Sequence, residues 1–181
     1  MKKIADVLSL PLLVLALAFS MRSSAAQSRD SSTAVIPEPM KSFSSIAGTW
    51  IPDGPRKGKL TEEYSFTRIL GGRFLCSEEI FRNEGEEIVY RDFAIIGADP
   101  DTGHLFLHAY NTDGSIDRTR ESDTSKPGAW VFLGTVYGSA QFKDYRYSIT
   151  RIGDSHMNVL IELLKDGVYL KHRETLFKRK P

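Results

Sequence analysis

The chain has 181 residues, 24 Lys and Arg against 23 Asp and Glu for a formal net charge of +1, and one cysteine. A balance this close to neutral gives no ground for a nucleic-acid or anionic-membrane partner. A lone cysteine excludes an internal disulfide, so a folded domain has to be held by its apolar core.

The first residues, Met1-Lys2-Lys3, carry two positive charges. The stretch from Leu8 to Phe19 is apolar apart from Ser9 and Pro11, and Arg22-Ser23-Ser24-Ala25-Ala26-Gln27 follows. A positive front, a short apolar core and a small-x-small site predict a secretory signal peptide over residues 1–26, cut after Ala26. The apolar run is short for a span of about 20 residues, and Pro11 interrupts it, so no membrane span is expected after cleavage. Cleavage leaves 155 residues, a single-domain length, at a net charge of −1. The expected location is outside the cytoplasm: periplasmic in a Gram-negative cell, otherwise secreted.

Residues 27–42 are rich in Ser, Arg, Asp, Thr and Pro and predict a flexible leader. Within and after it, Met40 to Ile46 predict one helical turn that plugs a barrel end. From Ile46 the pattern becomes short strands with period-2 alternation. Tyr64 and Phe66 share a face, as do Trp130 and Phe132, Tyr145, Tyr147 and Ile149, and Met157, Val159 and Ile161. Gly71-Gly72, Asn83-Glu84-Gly85, Asp99 to Gly103, Asp113-Gly114, Gly153-Asp154 and Asp166-Gly167 punctuate these runs. Asp-Gly pairs supply the positive φ angles of tight hairpins. About ten short strands fit between Ile46 and Lys180. Sequential hairpins leave two edges unless the sheet closes, so the predicted fold class is all-β, an antiparallel barrel over residues 43–181, with a sandwich as the alternative.

Gly48-Thr49-Trp50 resembles the Gly-x-Trp opening of lipocalins, in which the Trp closes the barrel base. That motif, Leu70-Gly71-Gly72-Arg73-Phe74-Leu75 with Glu78-Glu79, Ile96-Gly97-Ala98-Asp99, and the closing strand Glu174 to Arg179 together resemble a bacterial family of lipocalin-like (calycin) barrels of unknown function. The resemblance runs from about residue 43 to the C-terminus. It implies a fold and no activity.

Catalytic chemistry leaves no recognisable motif. There is no Gly-x-Ser-x-Gly elbow, and Asp101-Thr102-Gly103, though it spells an aspartic-protease triplet, reads as a turn. Cys76 lies in the apolar run Phe74-Leu75-Cys76 and reads as a buried, inert thiol. His104 and His108 are about 13 Å apart along a strand and cannot share a metal. A hairpin at Asp166-Gly167 sets His156 against Phe177 and His172 against Ile161, so no metal site is expected.

Nitrobindins are similar small barrels that hold haem through a His on the last strand, and His172 lies near that place, which makes haem the alternative ligand. The leading expectation, with no cofactor, is a barrel interior that holds a small hydrophobic or amphipathic molecule. Its candidate lining is Tyr64, Phe66, Phe93, Phe106, His108, Tyr110, Trp130, Phe132, Tyr145 and Tyr147, with Gly48 and Trp50 at the base. Arg118 and Arg120 share one face of the strand 116–122. Turned inward they would fork onto a carboxylate head group; turned outward they would keep an edge strand soluble. An enzyme using the same cavity, with a Tyr, His or Glu as acid–base group, and a filled barrel acting through its surface on a protein partner stay open as further alternatives.

Overall fold

A computed structural model describes residues 35–54, 60–139 and 143–181. The predicted signal peptide and most of the predicted leader lie outside the described residues. Ten strands form one closed antiparallel barrel: β1 Gly48–Pro52, β2 Thr61–Ile69, β3 Phe74–Arg82, β4 Ile88–Ala98, β5 Leu105–Asn111, β6 Ile116–Glu121, β7 Ala129–Tyr137, β8 Asp144–Ile152, β9 His156–Lys165 and β10 Val168–Arg179. Each strand pairs with its sequence neighbours, and β1 closes the ring against β10 with Trp50 opposite Arg179. Closure is why charged β6 needs no edge protection: it is paired on both sides.

The turns sit where the local chemistry demands them. Asp166 and Gly167 both take positive φ, 51° and 78°, as a two-residue hairpin of the type that follows strand twist requires. Asp99 Oδ1 accepts from the backbone N–H of Asp101 and Thr102, so Asp101-Thr102-Gly103 is a turn.

One end of the barrel is plugged. Helix α1, Glu38–Phe43, runs into a 3-10 turn, Ser44–Ile46, and drives Met40, Phe43 and Ile46 into the interior, all fully buried. Residues 38–42, assigned to the leader by composition, therefore form the plug. Phe43 meets the ring of Trp130 edge-on at 4.9 Å and that of Phe132 at 5.9 Å. Phe66, Leu75, Ile96, Leu105, Ile149, Met157, Val159 and Phe177 complete this apolar half. Each large side chain sealed there contributes roughly 1.5–3 kcal/mol by leaving water.

Gly134 has a steric job on the inner face of β7. A Cβ there would sit 2.5 Å from Thr119 Cγ2 and 2.9 Å from the Tyr145 ring. Gly134→Val is expected to cost about 1–3 kcal/mol through overpacking, measured as a fall in the urea midpoint; an unchanged midpoint would show that Tyr145 moves freely.

Cys76 corrects the sequence reading. It points outward between Leu75 and Ser77, both buried, and is half-buried on the outer wall. Period-2 alternation put its neighbours inside and left it out. Burial and the Glu78 charge still push its thiol pKa up.

The β9–β10 register departs from simple hairpin counting. Lys171 pairs with Glu162 as expected, but a bulge follows, so Arg173 pairs with Ile161, Phe177 with Met157 and His156 with Lys178. One extra residue in β10 shifts every later pairing by one.

Candidate functional site

The half of the barrel away from the plug holds a cavity of 390 Å³. Its origin is a row of small side chains: Ser77, Ala94 and Ala109 are register neighbours across β3, β4 and β5 and all face inward. Where the plugged half places Phe and Trp, this row leaves room. Leu60, Phe81, Val89, Leu107 and Ile161 give the cavity apolar walls.

The polar part is built by the next row. Glu79 lies directly opposite Asp92, and Asp92 opposite Asn111. Like charges facing each other across a strand pair repel, so the cluster needs protons or a cation. Arg173 supplies one guanidinium: its Nη2 donates to Glu79 Oε1 at 2.5 Å, and its Nη1 lies 3.5 Å from Glu62 Oε1. The bulge in β10 is what delivers it. Without the extra residue His172 would stand opposite Ile161; with it, Arg173 does, and His172 is left at the exposed mouth of the same cavity.

Three carboxylates against one guanidinium leave an excess of acid. Burial, aided by a hydrogen bond to Glu79 and opposed by Arg173, pushes the Glu62 pKa up to about 8. Burial and the Glu79 charge push Asp92 well above the usual carboxylate range. Native Glu62 therefore holds its proton over a window, from about 4.5 to about 8, in which the unfolded chain has released it. Stability from this group is complete below the unfolded pKa and falls as pH rises through that window, by roughly 5 kcal/mol at most. Glu62→Gln is expected to flatten the decline, read from urea midpoints at pH 5, 6.5 and 8.5; a variant that keeps the wild-type slope would place the proton elsewhere.

A second network lines the far wall. Tyr90 Oη donates to Asn111 Oδ1 at 3.0 Å, Asn111 Nδ2 donates to Asp117 Oδ1 at 3.2 Å, and Tyr145 Oη donates to Asp117 Oδ2 at 3.2 Å. The hydroxyls of Tyr64 and Tyr147 share a hydrogen bond of 2.6 Å between β2 and β8. Burial raises the pKa of all four tyrosines, so they are neutral hydroxyl groups at physiological pH.

The predicted lining divides into three sets. Tyr64, Tyr145 and Tyr147 line the cavity, while Phe66, Trp130 and Phe132 face inward but belong to the packed plugged half. Phe93, Phe106, His108, Tyr110, Arg118 and Arg120 are on the outer wall, which corrects their assignment. Phe93 is opposite Tyr110 and His108 opposite Arg118, on the face away from buried Ala94, Ala109 and Thr119. Phe106 packs on Phe74 and His108 there, and Arg118 lies over the Tyr137 ring at 5.5 Å. An Arg fork for a carboxylate head group is therefore withdrawn, because the face of β6 that turns inward carries Asp117 and Thr119. Burial and the Arg118 charge lower the His108 pKa. The residues that sequence reasoning missed are Glu62, Glu79, Asp92, Asp117 and Arg173.

At the opposite end Trp50 is sealed, its indole N–H donating to the Ile46 carbonyl at 2.8 Å. Arg179 lies 4.2 Å over its ring and donates to the carbonyls of Ala47, Ser45 and Asp154. Gly48, at φ 136°, leaves the space that Arg179 fills: a Cβ there would fall 2.4 Å from its Nη1.

No protein-family profile matches the chain, and no curated protein matches it in sequence. Among solved structures it is similar to the crystal structure of Rv2717c from M. tuberculosis, at a TM-score of 0.59 and 13% identity, covering 81% of this chain and 100% of that one. At that identity the likeness is one of fold.

Proposed function

We propose that this is an exported, non-catalytic binding protein that holds a small amphipathic molecule in the open half of a lipocalin-like barrel. The observation that carries this reading is the 390 Å³ cavity, walled by apolar side chains and carrying a band of buried polar groups, in a barrel whose other half is filled by a packed apolar core. Cavities of about 300–1,000 Å³ with a few convergent polar groups suit small-molecule ligands. The lipocalin-like part of the proposal draws on Gly48-Thr49-Trp50 at the start of β1, with Trp50 closing the base under Arg179. The exported part draws on residues 1–26.

Native mass spectrometry of gently purified protein tests the reading. A retained small-molecule mass is expected, and Ala109→Phe, which fills the cavity from its floor, is expected to lose it. Retention unchanged by Ala109→Phe, or no mass retained and no uptake from a metabolite extract, would overturn it. Added haemin tests the alternative through His172 at the cavity mouth: a Soret band lost in His172→Ala would move the assignment to haem.

A further inference from the structure

We infer that the ligand's head group is a cation, an ammonium or amidinium, seated against Glu79 and Asp92 with its apolar part toward the mouth; this rests on the binding reading proposed above. The carboxylates alone do not make the site. They line a cavity with apolar walls, and two buried polar atoms on neighbouring inward-facing residues lack a hydrogen-bond partner. Glu62 Oε1 is sealed from solvent and takes part in no hydrogen bond, its guanidinium neighbour standing off at 3.5 Å. Ser77, 1% exposed, faces inward between Phe66 and Ala94, and its hydroxyl has no partner either. Buried polar atoms are paired in the great majority of cases, so the Ser77 hydroxyl, two residues from Glu79 on β3 and opposite the cavity-lining Ala94, asks for an occupant that hydrogen-bonds.

The charge count selects which occupant. Arg173 is committed to Glu79 and leans over the Phe81 ring at 5.4 Å. An anionic head group would meet the Glu79 carboxylate beside Asp92 and Asp117, and among the described lining residues the one guanidinium, Arg173, is already paired with Glu79. A neutral hydroxyl would leave the acid excess as it is. An ammonium brings three N–H donors and one positive charge. Its binding exchanges one cation for the proton that Glu62 holds, which passes to solvent, so the net charge of the site is unchanged. Leu60 and Val89 at the open end, with Phe81 and Ile161 below them, then face the apolar part of the ligand.

Three probes of one shape separate the possibilities: 2-phenylethylamine, 2-phenylethanol and 3-phenylpropanoate, titrated calorimetrically into the purified protein at pH 7.5. The amine is expected to bind at least tenfold more tightly than the alcohol, with no measurable binding of the carboxylate. Glu62→Gln and Asp92→Asn are each expected to weaken the amine at least fivefold and leave the alcohol within twofold. If the alcohol or the carboxylate binds as tightly as the amine, the cationic head group is wrong while the cavity reading stands. If none of the three binds at millimolar concentration, both fall.

Discussion

Arg173→Ala is expected to destabilise the protein by about 3–5 kcal/mol at pH 8, the loss typical of leaving a buried charge without its partner, and by much less at pH 5. In the wild type this guanidinium faces Glu79 at 2.5 Å and Glu62 at 3.5 Å, both nearly sealed from solvent. Removing it at pH 8 leaves those groups, with Asp92, to take up protons against the bulk pH or to repel one another in a medium that screens little. At pH 5 Glu62, with its pKa near 8, and Asp92, raised well above the usual range, are protonated. What then remains to lose is the Arg173 hydrogen bond and its packing on Phe81. The measurement is a urea unfolding curve for wild type and variant at the two pH values. An equal loss at both would show that Arg173 acts through packing and not through charge. Adding Glu62→Gln to Arg173→Ala should recover part of the loss at pH 8, because pairs in direct contact are non-additive.

That same residue marks the limit of what the sequence made legible. Asp113-Gly114 and Asp166-Gly167 were readable as hairpins because positive φ is a local demand that few residue types meet. Trp50 was readable through the resemblance of Gly48-Thr49-Trp50 to the lipocalin opening, which implies a ring at the barrel base. Arg173 was not, because its inward position depends on a bulge at residue 172, and counting along the β9–β10 hairpin carries a register only until the first irregularity. The outer-wall residues failed for a different reason. Alternation shows that Phe106 and His108 share a face, and that Arg118 and Arg120 share another, but period 2 does not say which face is inside. Apolar residues on both faces of β4 and β5 removed the usual contrast. Glu62, Glu79 and Asp92 looked like ordinary solvated charges, since their burial comes from strands distant in sequence: Tyr147 on β8 and Arg173 on β10. A chain of registers from Trp50 inward would have found Glu79 and Asp92. Trp50 faces Tyr64, Tyr64 faces Glu79 and Glu79 faces Asp92, each across one antiparallel pair.

The other large effect is expected at the closed end. Trp50→Ala should cost about 3–5 kcal/mol, as a fully buried large aromatic does when truncated, and Arg179→Ala about 2 kcal/mol for its cation–π contact and hydrogen bonds to main-chain carbonyls. Trp50 closes the base from β1, and Arg179, opposite it on β10, ties Ser45 and Ala47 of the plug segment to the Asp154 turn. The two side chains touch, so the double variant should lose about 0.5–2 kcal/mol less than the singles added together. Gly48→Ala should mimic Arg179→Ala in part, since a methyl at φ 136° would occupy the place of the Arg179 guanidinium. Urea midpoints measure all four variants. Strict additivity of Trp50→Ala and Arg179→Ala would mean that the ring and the guanidinium stabilise the base separately. The cavity, at the other end of the barrel, gives the independent control. Closure of the base is a matter of stability, so Arg179→Ala, assayed where it is still folded, should retain the same ligand mass as the wild type.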